Sequence, residues 1–210
     1  MSGAGRFITL EGGEGVGKST QVRALAAALR ARGLSVIETR EPGGSPGAEA
    51  IRQALLHAPA DAWGREAEAL LFAAARADHV ARLIRPALER GDWVICDRFV
   101  DSTRAYQGGG SGMADADIMA LHAVGSRGLL PDRTLLLQVD GAEAVARRQA
   151  RGSAGDDRIE GRNAAFHNAV NAAFQAMAAA EPERFRTIDA AGAPDVVTAR
   201  LINALDDLLP

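Results

Sequence analysis

Arg6-Phe7-Ile8-Thr9-Leu10-Glu11-Gly12-Gly13-Glu14-Gly15-Val16-Gly17-Lys18-Ser19-Thr20 is the stretch whose reading decides the fold. Positions 12–19 fit G-x-x-x-x-G-K-[ST], a glycine loop whose backbone N–H groups wrap nucleotide phosphates. A glycine-rich run alone is usually an ordinary turn, so the flanks matter. Upstream, residues 6–10 are a short apolar, β-branched run of the kind that forms a buried strand. Downstream, Val22, Leu25, Ala26 and Leu29 recur at helical spacing until Gly33 ends the run. Strand, loop and helix in that order are the context a phosphate loop requires. Gly12, Gly13, Glu14, Gly15, Val16, Gly17, Lys18, Ser19 and Thr20 are therefore expected to bind a nucleoside triphosphate at the helix N-terminus. Ser19 is expected to hold Mg²⁺ through its hydroxyl.

Lys18 is the only lysine among 24 basic side chains. A compact ammonium on a flexible stem can curl over a glycine loop toward β- and γ-phosphates, where a flat guanidinium fits less well. At 210 residues the chain is expected to be one domain, 1–210, large enough for a substantial core. A net charge of -3 argues against a nucleic-acid polymer as partner. The single cysteine, Cys96, allows no internal disulfide, fits a reducing cytoplasm, and reads as an inert buried thiol. Neither a signal peptide nor an apolar run long enough to span a bilayer is evident, so no membrane partner is expected.

Further strand-like runs cover 35–39, 93–97, 133–139 and 185–189, and helical runs cover 66–89, 114–124, 142–151, 164–180 and 194–209. The alternation predicts an α/β fold, a five-stranded parallel sheet flanked by helices. Ligands in such folds lie at the carboxyl ends of the strands. Glycine-rich segments 108–112 and 152–155 are expected to be mobile.

The strand at 93–97 runs into Asp97-Arg98. Arg98 can take a phosphate bidentately, and Asp97 could orient a sugar hydroxyl or a water on Mg²⁺; a structural ion pair closing the strand is the alternative. Arg40-Glu41-Pro42-Gly43-Gly44 follows the second strand, and Arg52 lies on the next helix. Phe72 and Arg76 are four apart and share a helix face, where a ring and a guanidinium could stack on and hydrogen-bond a flat heterocycle. Arg147, Arg148, Arg151, Arg158 and Arg162 flank a glycine-rich break. In a phosphate-loop protein such a segment, 147–162, reads as a closing lid that brings an arginine to the moving phosphoryl group. His57, His79, His122 and His167 show no metal-ligand spacing.

Together these motifs resemble the thymidylate kinase family over nearly the whole chain. The likeness rests on the loop with Glu14, on residues 39–44, on Phe72-Ala73-Ala74-Ala75-Arg76, on Asp97-Arg98-Phe99, on Tyr106-Gln107-Gly108 and on Asp157-Arg158-Ile159-Glu160. The resemblance implies the three-layer P-loop nucleoside monophosphate kinase fold and the reaction ATP + dTMP → ADP + dTDP with Mg²⁺. It implies that Phe72 stacks on thymine, that Arg76, Thr103 and Gln107 read its polar edge, and that Pro42, with Glu41, lines the pocket. Arg52 and Arg98 would grip the monophosphate, Glu14 and Asp97 would lie near the 3′-hydroxyl and the metal water, and Tyr106 would favour deoxyribose. The loop carries no arginine, as in the bacterial pattern where the lid supplies it; Arg151 is then the expected catalytic arginine, with Arg147 nearer the adenine and Arg158 as the alternative. A homodimer through helices 66–89 and 114–124 is also implied. The competing expectations are another nucleoside monophosphate kinase, a nucleoside kinase, or a regulatory ATPase.

Overall fold

The structure, a computed structural model, describes residues 5–59, 62–141, 143–144, 146–147 and 161–210. Five strands form one sheet: β1 (Phe7–Glu11), β2 (Val36–Arg40), β3 (Trp93–Asp97), β4 (Arg133–Gln138) and β5 (Phe185–Asp189). Their order is β2-β3-β1-β4-β5, and every pair is parallel. Parallel neighbours need crossovers, and the helices supply them. They are α1 (Lys18–Ala31), α2 (Pro46–His57), α3 (Arg65–His79), α4 (Arg85–Glu89), α5 (Val100–Thr103), α6 (Asp115–Ser126), α7 (Ala164–Ala180) and α8 (Pro194–Asn203). The strand positions expected from the sequence hold to within a residue or so at each end.

Both faces of the sheet are covered, which is why its central strands are mostly apolar, with Thr9 and Glu11 of β1 and Thr134 of β4 among the buried polar exceptions. Alternation sends successive side chains to opposite faces. Ile8, Leu10, Ile95, Leu135 and Leu137 pack with Leu25 and Leu29 of α1 and Leu201 of α8. Phe7, Val94 and Cys96 face the other way, toward Val80, Ile84 and Phe99. A third cluster joins Leu136 and Phe185 to Leu55, Tyr106, Val170 and Phe174. Full burial of each such leucine or phenylalanine contributes roughly 1.5–3 kcal/mol, so these clusters hold the strand ends, and the site built on them, in place. Among the described residues no helix is long and apolar enough to cross a membrane.

Three expectations change. The helix expected over 66–89 runs through a π-helical turn at Val80–Ile84 between α3 and α4. Pro86, in the first turn of α4, cannot donate to the helix ladder, and the turn just before it absorbs the mismatch. The last helix ends at Asn203 rather than 209. The glycine-rich stretch after Gln107 is no loose loop: Arg104–Gly110 is a π-helical continuation of α5 packed on α7. A Cβ on Gly109 would stand 2.5 Å from the Ala173 Cβ, so the glycines permit close approach of two helices. The other segment expected to be mobile, 152–155, lies outside the described residues, as do Arg148, Arg151 and Arg158.

Candidate active site

The carboxyl ends of β1, β2 and β3 and the segment after β5 open onto one cavity of about 780 Å³. It is lined by the glycine loop from Glu14 to Thr20, by Arg40, Glu41 and Pro42, by Arg52, Phe72 and Arg76, by Asp97 and Arg98, by Thr103, Tyr106 and Gln107, and by Arg147. Of the site residues expected from the sequence, all but Gly12, Gly13 and the undescribed Arg151 and Arg158 line this cavity, and the Gly12 and Gly13 carbonyls lie behind Lys18.

The loop takes its shape from its glycines. Gly15 (φ 77°) and Gly17 (φ 92°) adopt left-handed backbone, and a Cβ on Gly15 would meet the Ala144 carbonyl at 2.6 Å. Gly17 caps α1, so the first backbone N–H groups of that helix face the cavity. Lys18 is buried and curls back, its Nζ donating to the carbonyls of Gly12 (3.1 Å) and Gly13 (2.7 Å). Burial, then the nearby Arg98 cation, pushes the Lys18 pKa down. Ser19 Oγ donates to Asp97 Oδ2 at 2.6 Å. Two hard oxygen donors from the loop and from β3 therefore meet at the cavity wall. Among the described residues no group of three or more His, Cys, Asp or Glu could hold a metal. A hydroxyl and one carboxylate suit Mg²⁺, which keeps several waters and shares substrate phosphates.

Arg98 sits in the left-handed region (φ 68°), a position that costs a residue with a side chain about 1–2 kcal/mol. The backbone on either side is fixed: Arg98 N donates to the Leu10 carbonyl at 3.0 Å, and Phe99 N to Glu11 Oε1 at 2.7 Å. The turn aims the guanidinium over the loop. Its Nη1 donates to the Gly12 carbonyl (3.2 Å) and Ser102 Oγ (3.0 Å), and its Nη2 to Glu14 Oε1 (2.5 Å) and Tyr106 Oη (3.2 Å). The Tyr106 hydroxyl donates to Glu14 at 2.8 Å, and the guanidinium lies 5.0 Å from the ring centroid. Burial raises the Tyr106 pKa, so the phenol stays a donor.

At the other end, Arg76 is buried. Its Nε donates to Glu41 Oε2 at 2.7 Å, and its Nη2 donates to Thr103 Oγ1 at 2.8 Å and the Phe99 carbonyl at 3.3 Å. Glu41 also bonds His79 Nδ1 at 3.1 Å, and His79 Nε2 bonds Thr39 Oγ1 at 2.7 Å. Glu41, expected as a pocket residue, thus has both carboxylate oxygens committed to bracing Arg76 and His79. Phe72 stands one helical turn before Arg76 on the same wall. Arg52 Nη1 donates to the Pro42 carbonyl at 2.7 Å, which seats it at the cavity edge. Arg147 borders the loop mouth, donating to Glu143 (2.5 Å) and the Ala190 carbonyl (3.0 Å).

Two acidic residues escaped the sequence reading. Glu11 is fully buried, accepting from Phe99 N and, at 2.6 Å, from Ser102 Oγ. Desolvation first, then the Asp101 charge, pushes its pKa up to about 8. A carboxylate ending an otherwise apolar strand was the available signal. Glu68 is also buried, accepting from Gln107 and Arg162. Its spacing of four and eight from Phe72 and Arg76 marks the same face, but an acid in the first turn of a helix is ordinary helix-dipole chemistry. Cys96 is buried as expected, and burial, then Glu41 and Asp97, pushes its thiol well up.

A parallel sheet of this order, with a glycine loop and an arginine facing each other across its carboxyl edge, defines a P-loop nucleoside monophosphate kinase. Comparison with known proteins narrows the class. The family model for thymidylate kinase matches residues 10–201. The thymidylate kinase of Rhizorhabdus wittichii is 66% identical over 98% of this chain and 99% of its own length. That of Gluconobacter oxydans is 51% identical over 100% and 98%. The crystal structure of thymidylate kinase from Ehrlichia chaffeensis superposes with a TM-score of 0.77 at 32% identity, covering 97% of this chain and 100% of that one. The chain belongs to the thymidylate kinase family.

Proposed function

We propose that this chain transfers the γ-phosphoryl group of ATP, with Mg²⁺, to the phosphate of dTMP at the cavity described above. As a member of its family it is a nucleotide kinase that phosphorylates dTMP to dTDP. The observation that carries the residue assignment is that Lys18, Arg98, Phe72 and Arg76 line one cavity, so a donor on the loop and an acceptor base on α3 share a single space.

In this reading Gly12–Thr20 and Lys18 hold the donor phosphates, with Arg147 toward the adenine. Arg98 and Arg52 hold the acceptor phosphate, exchanging protein oxygens for phosphate oxygens. Phe72 stacks on the base, and Pro42, Arg76, Thr103 and Gln107 complete its pocket. Glu14 and Tyr106 border the sugar. The Ser19–Asp97 contact supports Mg²⁺ there, which when bound neutralises phosphate charge. No covalent enzyme intermediate is needed, since a phosphate oxygen is already a nucleophile. Catalysis is placement and charge neutralisation, and the lid we assign to 147–162 would bring Arg151 to the moving group. The whole chain works as one kinase domain in this account. The exposed Leu70 of α3 and Val124 of α6 support a homodimer through those helices, and a lone buried thiol suits the cytoplasm.

The test is steady-state transfer from ATP to dTMP, dUMP, dCMP, UMP, AMP and GMP, with and without EDTA. Highest kcat/KM for dTMP, abolished by EDTA, is expected. Preference for another acceptor, or ATP turnover that needs none, would overturn the reading.

A further inference from the structure

Arg76 and Gln107 stand side by side in the acceptor pocket, but they differ in how firmly their polarity is fixed. A guanidinium can only donate. Among the described residues its Nε and Nη2 are committed to protein acceptors, which leaves Nη1 as the donor for a ligand. A glutamine amide can present either its carbonyl or its NH₂ by rotating half a turn, so on its own Gln107 specifies nothing. Here it is not on its own. Gln107 Nε2 donates at 2.8 Å to Glu68 Oε1, and both residues are about 1% exposed. Glu68 is itself held by Arg162, whose Nη2 reaches its two oxygens at 3.0 and 2.8 Å. That guanidinium lies 4.5 Å from the Phe166 ring centroid and also donates to Ser111 Oγ. A flipped Gln107 would set a carbonyl against a buried carboxylate, leaving two acceptors facing each other without a proton.

We infer that Glu68 sets the base specificity of the acceptor pocket by locking the Gln107 amide with its carbonyl toward the cavity. Arg76 then offers a donor and Gln107 an acceptor. That pair matches a pyrimidine with a ring carbonyl beside an imide N–H, as in thymine and uracil. Cytosine presents the reverse, an amino donor beside an unprotonated ring nitrogen, and leaves both pocket groups unpaired. Glu68 touches no substrate; it is a positioning residue. The inference rests on the assignment of Gln107 to the base pocket.

The experiment is kcat/KM for dTMP, dUMP and dCMP in the parent and in Glu68→Gln and Glu68→Leu, with thermal melts to show that each variant folds. Either variant frees Gln107 to rotate, so the dTMP/dCMP ratio should fall roughly tenfold or more. The dTMP/dUMP ratio should stay put, because those bases share the same edge. A general loss of packing would lower all three substrates together, and that outcome, or three unchanged rates in a folded variant, overturns the inference. Gln107→Leu separates the underlying assignment: it should raise the dTMP KM, and an unchanged KM would remove Gln107 from the pocket and the inference with it.

Discussion

Replacing Glu11 by glutamine should flatten the pH dependence of stability between about pH 5 and 8. The carboxyl sits at the end of β1 with no exposure, bonded to Phe99 N and Ser102 Oγ, with Asp101 near enough to oppose its charge and Arg98 near enough to favour it. Its pKa rises from 4.5 to about 8 in the folded chain. Between those values the native state holds a proton that the unfolded chain has released. The stability this contributes is therefore complete below about pH 4.5 and is lost as pH climbs through 8. At about 1.4 kcal/mol per pH unit, the window sets a ceiling on the order of 5 kcal/mol. In a chain of this size each kcal/mol moves the melting midpoint by roughly 2–4 °C, so even half the ceiling gives a shift of roughly 5–10 °C. Glutamine keeps the shape, can accept from Phe99 N, and can donate to Ser102, but it does not titrate. His122 runs the other way: burial, then Arg76, lowers its pKa, so its contribution is lost as pH falls. Subtracting the variant's curve from the parent's cancels it. Calorimetric midpoints from pH 5 to 9 should converge as the parent loses its advantage in base. Parallel curves across that range would refute the assignment of a protonated Glu11.

Three further outcomes are expected, two from the geometry and one from the lid arginine assigned under the proposed function. Asp97→Asn keeps volume but removes the charge that Ser19 meets, so turnover at limiting Mg²⁺ should fall roughly 10- to 100-fold and recover partly at high Mg²⁺; an unchanged Mg²⁺ titration contradicts the site. Gly109→Ala forces a methyl against Ala173, and urea unfolding should show a loss of about 1–3 kcal/mol, whereas full stability would mean the Arg104–Gly110 segment and α7 are not in close contact. Arg151→Ala should lower single-turnover chemistry by about 10³–10⁵ with little change in the dTMP KM, and parental chemistry would shift the catalytic role to another lid arginine.

What the sequence made legible was local chemistry. The loop, its strand and its helix carry their own signature within about 25 residues, and the four-residue step from Phe72 to Arg76 puts both on one wall without any knowledge of the sheet. Asp97-Arg98 was legible because a strand end is where this fold class binds. The supporting carboxylates were not: Glu11 meets Ser102 across 91 residues and Glu68 meets Arg162 across 94, and no local pattern encodes a partner that far away. The glycines after Gln107 misled for the same reason. Their composition reads as a loose turn, while their purpose lies in Ala169 and Ala173 of a helix about sixty residues downstream.

A crystal structure with dTMP bound decides whether donor and acceptor share this cavity as assigned. The 5′-phosphate is expected within hydrogen-bond distance of Arg98 and Arg52, the thymine ring against Phe72, and its imide edge facing Arg76 and Gln107. Thymine seated instead beside Arg147 at the loop mouth, with Arg98 still closed on Glu14, would contradict that assignment.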